Sequence, residues 1–121
     1  DEVVEGLANS GVKVIFGGHG AAIAPIIEAV GRHPETHWVY TRHEGNAALM
    51  AAALAKFTAT TQICLATCGP GALNLTNGLA DAQHDQLPVL AITGTLPQNK
   101  RGFGDFQDVD QAAIFKHAHI S

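Results

Sequence analysis

The chain of 121 residues is 46% hydrophobic and carries a formal charge of −4, which fits one globular domain built on one core and argues against a disordered chain. Its seven Lys and Arg form no basic cluster, so the electrostatic footprint of a nucleic-acid binder is missing and a small-molecule ligand is expected. No apolar run is long enough to cross a bilayer and no charged-then-apolar leader opens the chain, so the default expectation is a soluble, cytoplasmic protein with no membrane partner.

Glu2 to Ser10 reads as a helix with Val3, Val4 and Leu7 inward, stopped by Gly11. Val12 to Phe16 is a short apolar strand ending in the turn Gly17-Gly18-His19-Gly20, and Ala22 to Gly31 reads as a helix with Pro25 in its first turn. This strand, turn and helix unit recurs. His37 to Tyr40 precedes a helix from Glu44 to Phe57, Gln62 to Ala66 precedes one from Ala72 to His84, and Val89 to Thr93 is a fourth strand. Leu96 to Asp105 is a polar loop containing Gly102 and Gly104, and Phe106 to Lys116 resumes as a helix. Apolar strands alternating with helical patterns imply an α/β layer fold with a parallel sheet. Cys64 and Cys68 lie too close along one strand to bridge comfortably and read as free thiols. The chain opens on Asp1 and ends at Ser121 without a clear stop, so a piece trimmed at both ends is expected.

Ligands of open parallel sheets bind outside the carboxyl ends of the strands, where loops converge and helix amides point inward. That rule selects Gly17 to Gly20, Arg42 to Glu44, Thr67 to Gly71 and Gly94 to Leu96. Glu44 stands out among them, because the strand before it is hydrophobic from Trp38 to Thr41 and the helix after it holds only Ala, Leu and Met from Ala47 to Ala55. Such a helix lacks the polar face of a surface helix, so it is expected to be covered on all sides, with Glu44 at the rim of a dry region. The helix from Ala72 is also rich in small residues, and two such helices suggest a subunit interface.

Three groups of residues carry a resemblance: Arg42-His43-Glu44 before the Ala-rich helix; Thr67-Cys68-Gly69-Pro70-Gly71-Ala72-Leu73-Asn74; and Gly78-Leu79-Ala80-Asp81-Ala82 followed by Pro88 to Gly94. In order and spacing they resemble the pyrimidine-binding module of thiamine diphosphate enzymes, nearest to the acetolactate synthase-like group, from about Gly11 to Lys116. Phe16 to Ala21, Phe106-Gln107 and Asp110-Gln111 further resemble benzaldehyde lyase and its carboligase relatives. The resemblance implies a three-layer α/β/α fold with a central parallel sheet. It also implies that Glu44 hydrogen-bonds the ring nitrogen of the cofactor's aminopyrimidine and so activates the cofactor for attack on a carbonyl. Gly69, Pro70 and Gly71 would pass against the pyrimidine, with Asn74 near it, while His19 and Gln107 would be substrate-pocket residues.

The same resemblance places the diphosphate and Mg²⁺ on a second module with a Gly-Asp-Gly motif, for which Gly104-Asp105-Phe106 is no substitute. The expected partners are therefore that module, from the same parent protein or a second subunit, a homo-oligomeric copy in a dimer or tetramer, and a small carbonyl substrate. The reaction class is a carbon–carbon lyase, carboligase or 2-oxo acid decarboxylase, and the chain by itself is expected to be inactive. The competing reading is a non-catalytic trimmed or designed domain that self-associates.

Plainer roles exist for each residue. Glu44 could be a first-turn acid contributing about 0.3 to 1 kcal/mol to its helix. His19 could be a solvent-facing turn residue, Gln107 a surface residue, and Cys68 a space-filler. Gly18 to Ile23 resembles a dinucleotide fingerprint, but its third small position is Ile23. His33 with His37 and His117 with His119 lack a third ligand, so no metal site is expected.

Overall fold

The computed structural model describes all residues, Asp1–Ser121. Four strands, β1 (Val14–Gly17), β2 (His37–Tyr40), β3 (Gln62–Ala66) and β4 (Val89–Thr93), form one sheet in the order β2-β1-β3-β4. All three pairings are parallel, with Gly17 opposite both Tyr40 and Leu65 and with Ala66 opposite Thr93, so the carboxyl ends share one edge. The helices are α1 (Glu2–Asn9), α2 (Ala24–Arg32), α3 (Glu44–Thr58), α4 (Pro70–Asn74), α5 (Thr76–His84) and α6 (Gln111–His117).

Strand periodicity makes the layers. Along β3 every residue is buried, and because side chains alternate in direction, Ile63 and Leu65 enter one core while Cys64 and Ala66 enter another. The first core joins them to Val4, Ile15, Ile23 and Val30 from α1, β1, the segment into α2 and α2 itself. The second packs Phe16 and Ala66 against Ala47, Ala48 and Ala51 of α3 and Leu75 and Leu79 at the start of and within α5, with Phe115 of α6 at its margin. A parallel sheet covered by helices on both faces is thus the three-layer α/β/α arrangement that the alternation of elements implies.

Glycine sets the distance between α3 and α5. A Cβ at Gly78 would lie 2.5 Å from the Ala48 Cβ and 2.6 Å from the Leu49 amide nitrogen, so only glycine lets the two backbones approach this closely.

Several expectations are corrected. Val3 is exposed, whereas Val4 is buried and Leu7 packs half-buried against the first core, because one stripe of so short a helix meets the sheet. The helix expected from Ala72 begins at Pro70, whose missing amide suits a first helical position, and its run is divided at Leu75. The last helix begins at Gln111 instead of Phe106. The Asp105 side chain accepts from the Gln107 amide and the Asp110 side chain from the Ala113 amide, so local capping holds the preceding residues out of the helix. Finally, α3 is not covered all round within this chain. Its Ala47, Ala48, Ala51, Ala52 and Ala55 are buried, while Leu49, Met50 and Phe57 are exposed, Phe57 to 90%.

Candidate functional site

The connection from β1 runs through α2 on one face to β2 on one side, and the chain then returns through α3 on the other face to β3 on the opposite side of β1. The order therefore reverses between β1 and β3, which leaves a crevice outside their carboxyl ends. The turn after β1 and the turn after β3 meet there: a Cβ at Gly20 would lie 2.2 Å from the Thr67 Cβ.

Glu44 is delivered to this crevice as the first residue of α3. His43 caps the helix, its Nδ1 accepting a 3.0 Å hydrogen bond from the Gly45 amide, and the free amides of the first turn favour the neighbouring negative charge. The Glu44 side chain is half-buried. Its Oε2 accepts a 3.0 Å hydrogen bond from Asn74 Nδ2 at the end of α4. Its Oε1 takes no side-chain hydrogen bond within the chain and is bordered by two glycines instead, since a Cβ at Gly18 or at Gly71 would stand 3.3 Å from it. One carboxylate oxygen is thus held and the other is left with small neighbours on two sides.

The turn after β3 owes its shape to Gly69, whose φ of +63° falls in the left-handed region that favours glycine. Gly71 is equally constrained by space, because a Cβ there would lie 2.7 Å from Thr67 Cγ2. The Glu44 carboxylate thus lies between Asn74, which bonds it, and Gly71, whose missing side chain leaves it room, whereas Pro70 is solvent-facing.

His19 and Gln107 lie beside this cluster. His19 is exposed and its ring stacks on Tyr40 at 4.9 Å between centroids, with a tilt of 41°. Gln107 crosses over Gly69: a Cβ at Gly69 would meet the Gln107 Cα at 2.6 Å. Gln107 also borders a cavity of about 300 Å³ whose other walls include Ala21, Ala22, Thr67, Cys68 and Leu96. A second cavity of about 450 Å³, walled by Arg101, Asp110 and Gln111 among others, shares Thr95, Leu96 and Gln107 with the first.

Both cysteines are buried, and burial pushes the Cys64 thiol up to about 12, which keeps it a protonated space-filler at neutral pH. No group of three or more His, Cys, Asp or Glu side chains is arranged to hold a metal.

Gly18 and Thr67 fall in the segments that the strand-end rule selects, but the sequence assigns neither a role; the structure sets Gly18 beside the Glu44 carboxylate and Thr67 against Gly20 and Gly71. The signal was the glycine pair at the end of β1, since a strand end with no Cβ on two successive residues permits a close approach from a neighbouring element.

Residues 1–114 match the family described as the N-terminal TPP binding domain of thiamine pyrophosphate enzymes, TPP being another name for thiamine diphosphate. The chain is 44% identical over 122 residues to the acetolactate synthase isozyme 2 large subunit of Escherichia coli (strain K12), covering 98% of this chain and 22% of that protein. It is 38% identical over 116 residues to an uncharacterized 42.6 kDa protein in the isoamylase 3'region of Pseudomonas amyloderamosa, covering 96% and 29%. It is 39% identical over 112 residues to an acetolactate synthase of Mycobacterium avium, covering 93% and 18%. The chain thus spans less than a third of the length of these relatives. A parallel sheet with a carboxylate at its reversal point, and a family match that runs nearly end to end, lead to one conclusion: the chain belongs to the N-terminal thiamine pyrophosphate-binding domains of thiamine pyrophosphate enzymes.

Proposed function

We propose that this chain binds the aminopyrimidine of thiamine diphosphate and that Glu44 is the catalytic carboxyl group that activates the cofactor. The observation that carries the reading is the division of labour on Glu44. Asn74 holds Oε2, while Oε1 faces the space beside Gly18 and Gly71, which side chains at those positions would close. The residues present fit the group: a flat ring needs glycines on its approach, and its ring nitrogen needs a carboxyl oxygen that no protein donor has claimed.

When bound, thiamine diphosphate supplies a nucleophilic carbon and an electron sink for making or breaking carbon–carbon bonds at a carbonyl. The chain's own part is to orient and to handle a proton. Glu44 shares a proton with the ring nitrogen, in a half-buried place where competition from water is reduced. Asn74 fixes the carboxylate, Gly69, Pro70 and Gly71 flank the ring, and the half-buried Thr67 and buried Cys68 reduce the access of solvent to that side of the crevice. His19 and Gln107 contact the carbonyl substrate from the two turns beside the ring.

The reaction is that of a lyase, carboligase or 2-oxo acid decarboxylase, and the relatives named acetolactate synthases support carbon–carbon bond formation among these. Mg²⁺ and the diphosphate are held by a complementary module of the parent protein or of a second subunit, which makes the isolated chain inactive. The exposed Leu49, Met50 and Phe57 on the helix that carries Glu44 support a partner there, in a dimer or tetramer.

Calorimetric titration of thiamine diphosphate with Mg²⁺ into the complete parent protein tests this reading. The wild type is expected to bind, and Gly71→Ala to weaken binding roughly tenfold or more, because the added methyl enters the space against Glu44 and Thr67. Absence of binding by the wild type would leave the non-catalytic reading in its place.

A further inference from the structure

Gln111 opens α6, and both ends of its amide are engaged. Its Oε1 accepts a 2.7 Å hydrogen bond from Thr93 Oγ1, and its Nε2 donates a 3.0 Å hydrogen bond to the Gly94 carbonyl oxygen. Thr93 ends β4 and Gly94 follows it, so this one side chain ties the return of the segment Thr95 to Asp110 to the strand end from which that segment departs. The segment touches the site in its middle, where Gln107 lies on Gly69 closely enough to exclude a Cβ there. Other bonds within it, from the Gln107 amide to Asp105 and from the Gly102 amide to Asp108, are exposed to water, whereas both Gln111 bonds are partly buried. Closing a loop at its base narrows the range of positions open to the residues it carries.

We propose that Gln111 is a positioning residue for Gln107. By clamping the base of the loop, it fixes Gln107 on Gly69 as the wall that the two cavities share, and so defines the substrate side of the site. The assignment of that wall to substrate rests on the thiamine diphosphate reading, but the clamp itself does not.

Amide hydrogen exchange on the complete parent protein tests the clamp without cofactor. In Gln111→Leu, which keeps the bulk and removes both bonds, exchange at Gln107 is expected to rise roughly tenfold, while the amides of β3 stay as in the wild type. Gln111→Glu separates the clamp from a general loss of stability. Its carboxylate still accepts from Thr93 but offers no proton to Gly94, so exchange at Gln107 should exceed the wild-type value at neutral pH. It should fall back toward that value, compared at equal pH, as acid restores the donor. Thr93→Val, which removes one bond only, gives an intermediate effect and serves if Gln111→Leu does not fold. With cofactor and a 2-oxo acid, Gln111→Leu should raise KM severalfold and leave the affinity for thiamine diphosphate unchanged. Unchanged exchange at Gln107 in both Gln111→Leu and Thr93→Val overturns the proposal. Raised exchange with an unaltered KM overturns the link to substrate while the clamp stands, and failure of the wild type to bind cofactor counts against the site reading alone.

Discussion

A carboxylate in the first turn of a helix is ordinarily held by helix amides alone, and its worth is a few tenths of a kcal/mol to about 1 kcal/mol. Glu44 differs because a side chain from another helix, Asn74, holds one oxygen, while Gly71 of that helix and Gly18 of the turn after β1 border the second. A residue placed only to stabilise α3 would need neither. Asn74 is itself exposed, so Asn74→Ala should leave the melting temperature nearly unchanged. Cofactor binding should weaken about three- to tenfold, the worth of one hydrogen bond to a partly solvated charge. Calorimetry on the variant and the wild type measures both. Glu44 was legible in the sequence because an acid between an apolar strand and an alanine helix breaks the pattern on either side. The roles of Gly18 and Thr67 within the selected segments were not, since Gly18 meets Glu44 and Thr67 meets Gly20 across turns far apart in the chain, and no local period records which turns meet.

Among the elements, α3 and α5 lie close because Gly78 has no side chain. Gly78→Ala would press a methyl onto Ala48 and the Leu49 amide, and is expected to destabilise the fold by about 1–3 kcal/mol, as overpacking of a rigid contact does. A lowered denaturant midpoint with an unchanged slope would show it. The far ends of these helices are joined by Lys56 and Asp85 at 2.6 Å. Their hydrogen bond, then their opposite charges, hold the Asp85 carboxyl below its usual 3.8 and raise the Lys56 ammonium above 10.5. The pair therefore adds stability above the usual carboxylate value, loses it as pH falls through the lower folded value, and loses it again as pH rises through the raised lysine value. Lys56→Met should reduce the midpoint at about pH 7, and the difference should shrink toward about pH 3 and at high salt, as expected of a solvated pair. The strands β2, β3 and β4 were legible to the residue because runs bounded by turn residues mark them. The face of α3 left bare was not, because a helix made of alanine, leucine and methionine carries no polar stripe to show which side meets water.

At the scale of the whole molecule, alternating strands and helices gave the parallel sheet and the edge where ligands collect. The strand order β2-β1-β3-β4, and with it the reversal between β1 and β3, comes only from the structure. That reversal is what draws the glycine turns after β1 and β3 to the carboxylate that opens α3. No helix is long and apolar enough to cross a membrane, and the chain spans less than a third of the relatives it matches. On the function proposed above, catalysis belongs to the complete parent protein, where Glu44 activates the cofactor. The most direct measurement is the exchange of the thiazolium C2 proton of bound thiamine diphosphate, followed by NMR in the complete parent protein and in its Glu44→Gln variant. The wild type should accelerate that exchange by orders of magnitude over free cofactor, and the variant should bind the cofactor yet return the rate nearly to that of solution. A variant that still exchanged at the wild-type rate would contradict the assignment of Glu44.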